Sequence, residues 1–295
     1  MDNRGEVREF LVSRRARITP ERAGLPVFGA NRRVSGLRRE EVALLAGVSV
    51  DYYTRLERGN LAGVSESVLD ALARALQLDE AEVGHLYDLA RAAGGTPRTR
   101  RRPARQQVRP GVQRVLDAIT GAPAYVRNGR RDILAANRLG RALYSELYVD
   151  PVRPVNVARF VFLSPRSRDF FLDWEGAAND TVAILRTEAG QNPYDQGLTQ
   201  LVGELSTRSE EFRTRWARHN VQYHRTGIKH VHHPAVGDLH LAFEAMDLPA
   251  DPGLSLVTYS AEPGSPSQDG LDLLGSWAAT LDQTEQAGTA PSMDT

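Results

Sequence analysis

The residues that most clearly suggest a specific molecular function surround Gly47. Two short stretches with apolar residues at helical spacing, 37–46 and 50–58, flank the tripeptide Gly47-Val48-Ser49. Glycine tolerates the positive φ of a tight turn, and Ser49 is a good N-cap for the second stretch. Two short helices around such a turn form a helix-turn-helix, whose second helix enters the major groove of DNA. The pattern therefore predicts recognition of double-stranded DNA.

The candidate DNA contacts are the side chains that this arrangement turns outward. They are Arg38, Arg39, Ser49, Val50, Asp51, Tyr52, Thr54 and Arg55. Arginine offers forked donors that suit phosphate and guanine. Val48, Tyr53 and Leu56 are expected to face inward and to hold the second helix in place.

Asp51 is the candidate that fits DNA least well, because a carboxylate repels phosphate. It can accept a hydrogen bond from cytosine N4, or favour the positive end of its own helix, which is the interpretation we prefer. Its position four residues before Arg55 also permits an intrahelical ion pair worth roughly a few tenths of a kcal/mol. The alternative that Asp51 supports is a helix-turn-helix used only for contacts with proteins.

Further helices are expected to support the reading helix. Apolar spacing predicts a helix over 6–16, another that starts at Ser65 or Ser67, and a last one capped by Asp79. Residues 19–36 contain Pro and Gly breaks and predict a loop. We therefore expect a five-helix DNA-binding domain over residues 1–95.

Charge divides the chain into two halves of opposite sign. Residues 1–110 contain 20 arginines and 14 acidic residues, a net charge of +6, and residues 111–295 contain 17 basic and 23 acidic residues, a net charge of −6. Such a contrast suggests a nucleic-acid module tethered to a second module. Between them, residues 96–110 predict a linker, because Pro, Gly and like charges do not pack a core. Its arginines, which either follow DNA phosphates or are simply solvated, are Arg98, Arg100, Arg101, Arg102, Arg105 and Arg109.

Composition and motifs exclude several classes of protein. The chain has no cysteine, which excludes disulfides, thiolate zinc sites and cysteine nucleophiles. No apolar run has the ~18–20 residues of a membrane helix, and no apolar signal core follows Met1, so we expect a cytoplasmic, nucleoid-associated protein without a membrane partner. The phosphate-loop, dinucleotide, zinc-protease and nucleophile-elbow motifs are missing, so we expect no enzyme and no cofactor.

Six of the seven histidines lie late in the chain, at positions 219, 224, 230, 232, 233 and 240. Histidine clusters bind Zn²⁺, so a metal site must be considered. His232 and His233 are adjacent on a predicted strand and therefore point to opposite faces. His230 and His232 share a face, but the spacing places no third ligand beside them, and we expect no metal.

The second half mixes helical and strand patterns. Two short strands around an Asn-Gly turn are predicted over 124–137. Helical patterns occupy 138–144, 157–162, 167–189, 195–205 and 209–218, strand patterns occupy 221–225, 229–233, 239–248 and 254–260, and a helix over 267–281 closes the series. The chain is therefore expected to be mainly α, with an α+β domain over 111–284 and a frayed, disordered tail over 285–295.

At the turn and its two flanking helices, the sequence resembles the XRE-type, lambda-repressor-like helix-turn-helix family. The resemblance rests on Gly47-Val48-Ser49, on the apolar position of Tyr53 and on the ending Leu56-Glu57-Arg58-Gly59. By position it implies DNA contacts at the outward residues named above, with Arg38 as a phosphate contact. The family usually has Gln at the second position of the first helix, where this chain has Arg39. This difference leaves open how that side chain pairs with the reading helix.

The second half resembles the ligand-binding domain of MmyB-like transcription regulators, which is PAS-like. The resemblance rests on a series of short motifs at 116–124, 173–175, 202–206, 212–213, 216–219, 226–229, 232–237 and 261–267. It implies a PAS-like fold and a fatty-acid-like ligand.

A PAS-like sheet covered by helices on one face encloses an apolar cavity, and such cavities are default ligand sites. The candidate ligand contacts are Phe160, Phe162, Trp174, Trp216 and Lys229, with Phe170 and Phe171 as further candidates for the walls. For any single aromatic residue, the interpretation we prefer is that it is part of an ordinary core. Lys229, the only lysine, can hold a carboxylate head group or can simply be solvated.

Together these features predict a sequence-specific DNA-binding transcription regulator. We expect a homodimer on a two-fold operator, because readers of this type pair their recognition helices in that way. The second domain would sense a small, apolar or fatty-acid-like ligand. The alternative is a ligand-independent regulator that uses this domain for dimerisation or for contacts with other proteins.

Overall fold

A computed structural model describes residues 3–26, 34–94, 107–218 and 225–288, the last eight of these without their side chains. Within these ranges the elements in chain order are α1 (Asn3–Arg17), α2 (Arg39–Ala46), α3 (Val50–Glu57), α4 (Glu66–Ala75), α5 (Glu80–Gly94), α6 (Pro110–Ala118), β1 (Ala124–Asn128), β2 (Asp132–Ala136), α7 (Arg138–Leu143), α8 (Ser145–Tyr148), β3 (Val155–Asn156), α9 (Val157–Leu163), α10 (Ser167–Phe170), α11 (Trp174–Gln191), α12 (Gln196–Arg208), α13 (Glu210–Trp216), β4 (Thr226–His233), β5 (Gly237–Asp247), β6 (Leu254–Ser260) and α14 (Pro266–Gly288).

The described residues form two compact units. The first combines the described residues up to 94 with residues 182–218, and the second combines residues 107–181 with residues 225–288. The division falls inside α11, which is a single helix of 18 residues.

Helices α1 to α5 form the predicted N-terminal bundle. Their apolar faces meet in a core whose members include Val7, Phe10, Leu11, Val42, Tyr53, Leu56, Leu69, Leu72, Leu86 and Leu89, all of them buried. Ser65 is the N-cap of α4, as expected. At the start of α5, Glu82 N donates to Asp79 Oδ1 at 2.9 Å and Asp79 N donates back to Glu82 at 3.2 Å, a reciprocal capping box. The prediction of a five-helix N-terminal fold is confirmed.

Helices α12 and α13 belong to the first unit, together with the second half of α11. The sequence-based limits place all of 111–284 in one domain, and those limits stay a prediction. The contacts that join these helices to α1 and α5 include an ion pair and a close backbone approach, which apolar periodicity does not predict. Arg186 of α11 binds Glu6 of α1, and Gly190 lies so close to His85 that a Cβ there would be 2.5 Å from the imidazole ring.

The second unit is built on an antiparallel sheet with the strand order β3-β2-β1-β6-β5-β4. The predicted hairpin of β1 and β2 joins the last three strands because β1 also pairs with β6, Tyr125 lying opposite Val257. One face of the sheet carries the large core, which includes Tyr125, Leu241, Phe243 and Tyr259. A smaller cluster of Leu116, Ala124, Val126 and Leu254 includes side chains of the opposite face. The α+β prediction is confirmed.

The single helix predicted over 167–189 was wrong, because the structure has α10 and α11 separated by residues 171–173. Phe171 forms a β-bridge with Val231, and Leu172 N donates to His230 O at 3.1 Å. This segment is therefore extended and pairs with β4. The aromatic residues on both sides of the break are buried in either arrangement, so apolar periodicity could not reveal it.

Several ends differ from the sequence-based limits. Helix α14 continues to Gly288 and so enters the segment predicted as a frayed tail. Arg109, expected in a linker, donates from Nε to both carboxylate oxygens of Asp251 at 2.7 and 2.8 Å. The two-residue strand β3 and the single-turn helix α8 had no clear sequence signal. The remaining linker arginines, the segment 221–224 and residues 289–295 lie outside the described residues.

Candidate DNA-binding surface and ligand cavity

The turn between α2 and α3 has the geometry expected from its residues. Gly47 has φ +65°, and a Cβ at this position would meet no atom within 4 Å, so the backbone conformation alone favours glycine. Ser49 Oγ accepts a hydrogen bond from Tyr52 N at 3.1 Å and thereby caps α3. Tyr53 and Leu56 are fully buried and anchor α3 in the core.

The residues predicted to contact DNA lie on the outer side of α3 and at its N-terminal end. Ser49, Val50, Asp51 and Arg55 are exposed, and Tyr52 and Thr54 are partly buried. The guanidinium of Arg55 lies 5.0 Å from the centre of the Tyr52 ring. Within the described ranges, Arg55 forms no ion pair with Asp51, so the permitted intrahelical pair is replaced by this cation–π contact.

The structure shows how Arg39 of α2 pairs with the reading helix α3. Its Nε donates to the carboxylate of Glu57, the last residue of α3. Glu57 has a side chain that is 2% exposed, and its other oxygen accepts from Arg15 of α1 at 2.9 and 2.7 Å. The hydrogen bond to Glu57 raises the pKa of Arg39. Half of the Arg39 side chain remains exposed, so it can contact a phosphate while it binds the reading helix.

Arg38, the N-cap residue of α2, is the other arginine at the start of this helix. It is exposed, and its Nη1 lies 3.3 Å from Glu40 in a weak surface pair. Its backbone N–H donates to Glu41 at 2.6 Å, which closes the first turn of α2. The position fits a phosphate contact.

Two more ion pairs, both to the buried carboxylate of Glu82, join helices of the first unit. The carboxylate of Glu82 in α5 lies 3.0 Å from Arg14 Nε in an ion pair and accepts a hydrogen bond from Arg17 Nη1 at 2.8 Å. Burial lowers the pKa of Arg14 to about 10. Neither pair was predicted, because an arginine on an amphipathic helix is ordinarily solvated.

Trp216 was a candidate wall of the ligand cavity, but it lies in the first unit. Its ring stacks on Phe212 with centres 5.4 Å apart. The guanidinium of Arg186 sits 3.9 Å from the Trp216 ring centre and donates to the Trp216 carbonyl as well as to Glu6. Trp216 is not among the residues that line the cavity of the second unit.

The second unit contains a cavity between the core face of its sheet and the helices α7, α9 and α11. Its lining consists of Tyr125, Arg127, Arg131, Tyr144, Val157, Val161, Phe171, Ala177, Thr181, Lys229, Phe243, Ala245, Val257 and Tyr259. The cavity volume is about 20 Å³, which suffices for one or two water molecules. This set mixes apolar walls with cations and hydroxyl groups.

Three tyrosines form a chain of hydroxyl groups at this cavity. Tyr144 Oη lies 2.6 Å from Tyr259 Oη, and Tyr125 Oη lies 3.4 Å from the same atom. Burial raises the pKa of Tyr144 and of Tyr259, so both hydroxyls keep their protons. Three hydroxyls carry three protons and the two contacts use two, which leaves one O–H to donate to a bound group.

Arg127 and Arg131 are cavity residues that sequence reasoning missed. Arg127 is 8% exposed and extends from β1 on the same face as Tyr125, as the alternation of strand side chains requires. Burial, with a smaller contribution from Arg131, lowers its pKa to about 10. The signal in the sequence was an arginine in phase with the inward residues of a predicted strand.

Lys229 lines the cavity, as does Phe171, which was a further candidate for its walls. The Nζ of Lys229 donates to Asp180 of α11 at 2.6 Å and lies 5.5 Å from the centre of the Phe243 ring. The charge of Lys229 is therefore already matched by a carboxylate of the protein. A role in holding a ligand head group would compete with this pair.

Phe160, Phe162 and Trp174 pack beside the cavity without lining it. Phe160 contacts Phe170 edge to face at 5.7 Å, and Phe162 contacts Trp174 at 6.1 Å. Trp174 Nε1 donates to Val161 O at 3.2 Å and to the hydroxyl of Ser167 at 3.1 Å. These contacts make the three aromatic residues a second layer behind the cavity wall.

The described histidines are dispersed. His233 is buried and its Nε2 donates to Ala142 O at 3.0 Å, His232 binds Asp238 at 2.6 Å, and His230 packs against His240. In the part of the chain that the structure describes, no group of three or more acidic or histidine side chains could hold a metal ion. His219 and His224 lie outside that part.

No helix within the described ranges is long and apolar enough to cross a bilayer.

A helix-turn-helix with an exposed reading face, followed by an α+β domain that encloses a cavity, defines the class of ligand-binding transcription regulators. Residues 108–274 match the family of the MmyB-like transcription regulator ligand binding domain, and residues 13–86 match a helix-turn-helix domain family. Because the first match covers more than half of the chain, the chain belongs to the MmyB-like transcription regulator ligand binding domain family. A search of curated proteins gave no match. The chain is a DNA-binding transcription regulator, and both families are regulator domains rather than enzymes.

Proposed function

We propose that this regulator reads a specific DNA sequence through the N-terminal half of α3. The observation that carries the proposal is the division of α3 into two faces. Tyr53, Leu56 and Glu57 are buried in the bundle, whereas Val50 and Arg55 point away from it. In this proposal Ser49, Val50, Asp51, Tyr52, Thr54 and Arg55 face the groove, and Arg38 and Arg39 contact phosphates.

The operator of this proposal has two-fold symmetry and is bound by a homodimer. One α3 is a helix of 8 residues, which can read only a few base pairs of one major groove. Two copies related by a two-fold axis would read half-sites about 34 Å apart on the same side of the duplex. The geometry of helix-turn-helix readers supports this arrangement.

The ligand of this proposal is a small molecule with an apolar, fatty-acid-like part that occupies the cavity of the second unit. Family membership and the apolar walls formed by Val157, Val161, Phe243 and Val257 support it. A volume of about 20 Å³ is far too small for an alkyl chain. Entry of such a ligand must therefore displace side chains of the wall, and this displacement would couple occupancy to conformation.

The small volume also favours a second candidate function. In that alternative the protein is a ligand-independent regulator whose aromatic residues are plain core, and the second domain serves dimerisation or contacts with other proteins. The two candidates differ in whether any small molecule changes operator affinity.

Both parts of the proposal can be tested with the full-length protein. Selection from a pool of random duplexes should enrich one sequence with two-fold symmetry, and this duplex should bind on the order of 10³-fold more tightly than a scrambled one. Affinity should fall steeply with salt in proportion to the phosphates contacted. Mass spectrometry of a denatured, solvent-extracted sample should identify a bound small molecule that changes operator affinity when added back. Equal affinity for both duplexes would disprove sequence reading, and a clean extract with no responsive compound would favour the ligand-independent alternative.

A further inference from the structure

The cavity of the second unit contains two arginines that the protein itself does not neutralise. The side chains of Arg127 and Arg131 form no hydrogen bond or ion pair with any residue in the described ranges, and their Nε atoms are buried without a partner. Asp247 acts electrostatically on Arg127, but its carboxylate binds Arg225 and Ser255 at 3.3 and 3.0 Å.

Other buried arginines of the same chain are treated differently. Arg14 pairs with Glu82, Arg186 pairs with Glu6 and Arg215 pairs with Glu211. A buried cation without a partner loses hydration and gains no compensating charge, so its burial is strongly unfavourable. Among the described residues, the buried arginine without an ion-pair partner is Arg127, which lines the cavity, where a ligand can supply the missing anion.

The backbone holds both arginines in place. The register of the β1–β2 hairpin shifts beside Arg127, because Val126 lies opposite Ala135 and Arg127 opposite Ile133, and such irregularities are frequent beside functional sites. Arg131 has φ +70°, and its carbonyl accepts from Val157 N at 3.1 Å. A non-glycine residue in this conformation persists only where its surroundings fix it.

A buried network of amide and carboxylate groups fixes the turn that carries Arg131. Asp132 accepts from Asn128 Nδ2 at 2.9 Å and from Asn156 Nδ2 at 2.8 Å. Asp132 is also bonded to Arg130 at 3.2 Å. Asp132, the acidic residue of this turn, thus pairs with Arg130. The neighbouring Arg131 lines the cavity.

We propose that Arg127 and Arg131, with the spare tyrosine O–H of Tyr125, Tyr144 and Tyr259, bind an anionic head group of the ligand, a carboxylate or a phosphate monoester. The inference rests on the proposed function, since it specifies the polar end of the ligand of the same cavity. Both anions present at least two oxygens, which a planar guanidinium binds through parallel hydrogen bonds. Lys229 is left out of this subsite because Asp180 already matches its charge.

The test uses the full-length protein and four probes: dodecanoate, dodecyl phosphate, uncharged dodecanol and inorganic phosphate. All alkyl probes are kept below their micelle concentrations, and inorganic phosphate is compared with chloride at equal ionic strength. Binding is followed by calorimetry and by the melting temperature. We expect at least one of the two alkyl anions to bind roughly tenfold or more tightly than dodecanol, as charge-assisted hydrogen bonds require. The stronger of these two anions identifies the head group.

Variants separate an anion site from a structural role. Arg127→Met and Arg131→Met should each weaken binding of the preferred anion about tenfold or more while they leave dodecanol binding unchanged. Without ligand, Arg127→Met should keep or raise the melting temperature, because it removes an unpaired buried charge. Arg130→Met, in the same turn but paired with Asp132, is the matched control and should retain anion binding.

The possible failures are distinguishable. If no anion stabilises the wild type more than it stabilises Arg127→Met, or if Arg127→Met unfolds the domain, the anion subsite is wrong. Dodecanol binding in that case would leave the apolar ligand of the proposed function standing. If inorganic phosphate binds in an Arg127-dependent way and an alkyl chain adds nothing, the anion subsite stands and the fatty-acid-like ligand is wrong.

Discussion

Glu57, the last residue of the recognition helix α3, binds Arg39, the first residue of α2. The same carboxylate accepts from Arg15 of α1 at 2.7 Å. Three helices thus share one buried anion, and the orientation of α3 depends on a polar contact as well as on Tyr53 and Leu56. Any change at Glu57 should therefore affect both stability and DNA binding.

Glu57→Gln is expected to lower the free energy of unfolding by about 3–5 kcal/mol, since it leaves Arg15 partly buried without an anionic partner. Arg39→Ala removes the more exposed partner and leaves Glu57 paired with Arg15, so its loss should stay within about 1 kcal/mol. Urea unfolding of both variants, followed by circular dichroism, measures the difference. Equal losses would show that Glu57 is not the shared anchor of the three helices.

Arg186 allows the same comparison inside the first unit. Its side chain is 1% exposed and bridges Glu6 and the carbonyl of Trp216, so Arg186→Met should lower the free energy of unfolding by about 3–5 kcal/mol. The matched control is Arg208→Met, which breaks a surface pair with Glu204 at 2.9 Å on α12 and should cost about 0.3–0.5 kcal/mol. If Arg186→Met lowered the free energy of unfolding no more than Arg208→Met does, Arg186 would not anchor α11 in this unit.

His233 predicts a pH dependence in the second unit. Burial lowers its pKa, and its Nδ1 accepts from Ala235 N at 3.2 Å while Nε2 donates to Ala142 O, so the folded protein holds the neutral ring. The unfolded chain binds a proton below about pH 6.5, whereas the folded chain does so only at lower pH. The contribution of His233 to stability is therefore complete above that pH and is lost as the pH falls towards the folded pKa.

His233→Gln retains a donor for Ala142 O and removes the titrating group. Unfolding of the wild type and of this variant should be measured from about pH 8 down to about pH 5. The wild type should lose more stability over this range than His233→Gln does. Parallel curves would show that His233 does not titrate differently in the folded and unfolded chains.

The sequence predicted those elements that local rules determine. The caps at Ser49 and Asp79, the turn at Gly47 and the hairpin after position 124 were placed correctly, because each depends on a short pattern of residues. The break between α10 and α11 was missed, because it arises from a bridge between Phe171 and Val231, which lie far apart in the chain.

The residues of the two candidate sites could also be predicted only in part. The outward face of α3 could be predicted because helical periodicity gives it directly. The ligand contacts could not, since an aromatic residue behind a cavity wall, such as Trp174, has the same pattern as one that lines it. Arg127 and Arg131 were not predicted as ligand contacts, because only the three-dimensional structure shows whether an arginine has an ion-pair partner. The residues proposed to contact DNA and ligand remain predictions.

The most direct test of the central claim is the affinity of wild type and Arg55→Ala for the selected duplex and for duplexes with single base changes. Fluorescence anisotropy at several salt concentrations gives both the affinity and its salt slope. We expect Arg55→Ala to lose about 1–3 kcal/mol on the selected duplex, to discriminate less at one base pair and to keep its affinity for scrambled DNA. Arg74→Ala, an exposed change on α4, should behave as the wild type. An equal loss on every duplex would make Arg55 a phosphate contact, and an unchanged affinity on the selected duplex would contradict sequence reading by α3.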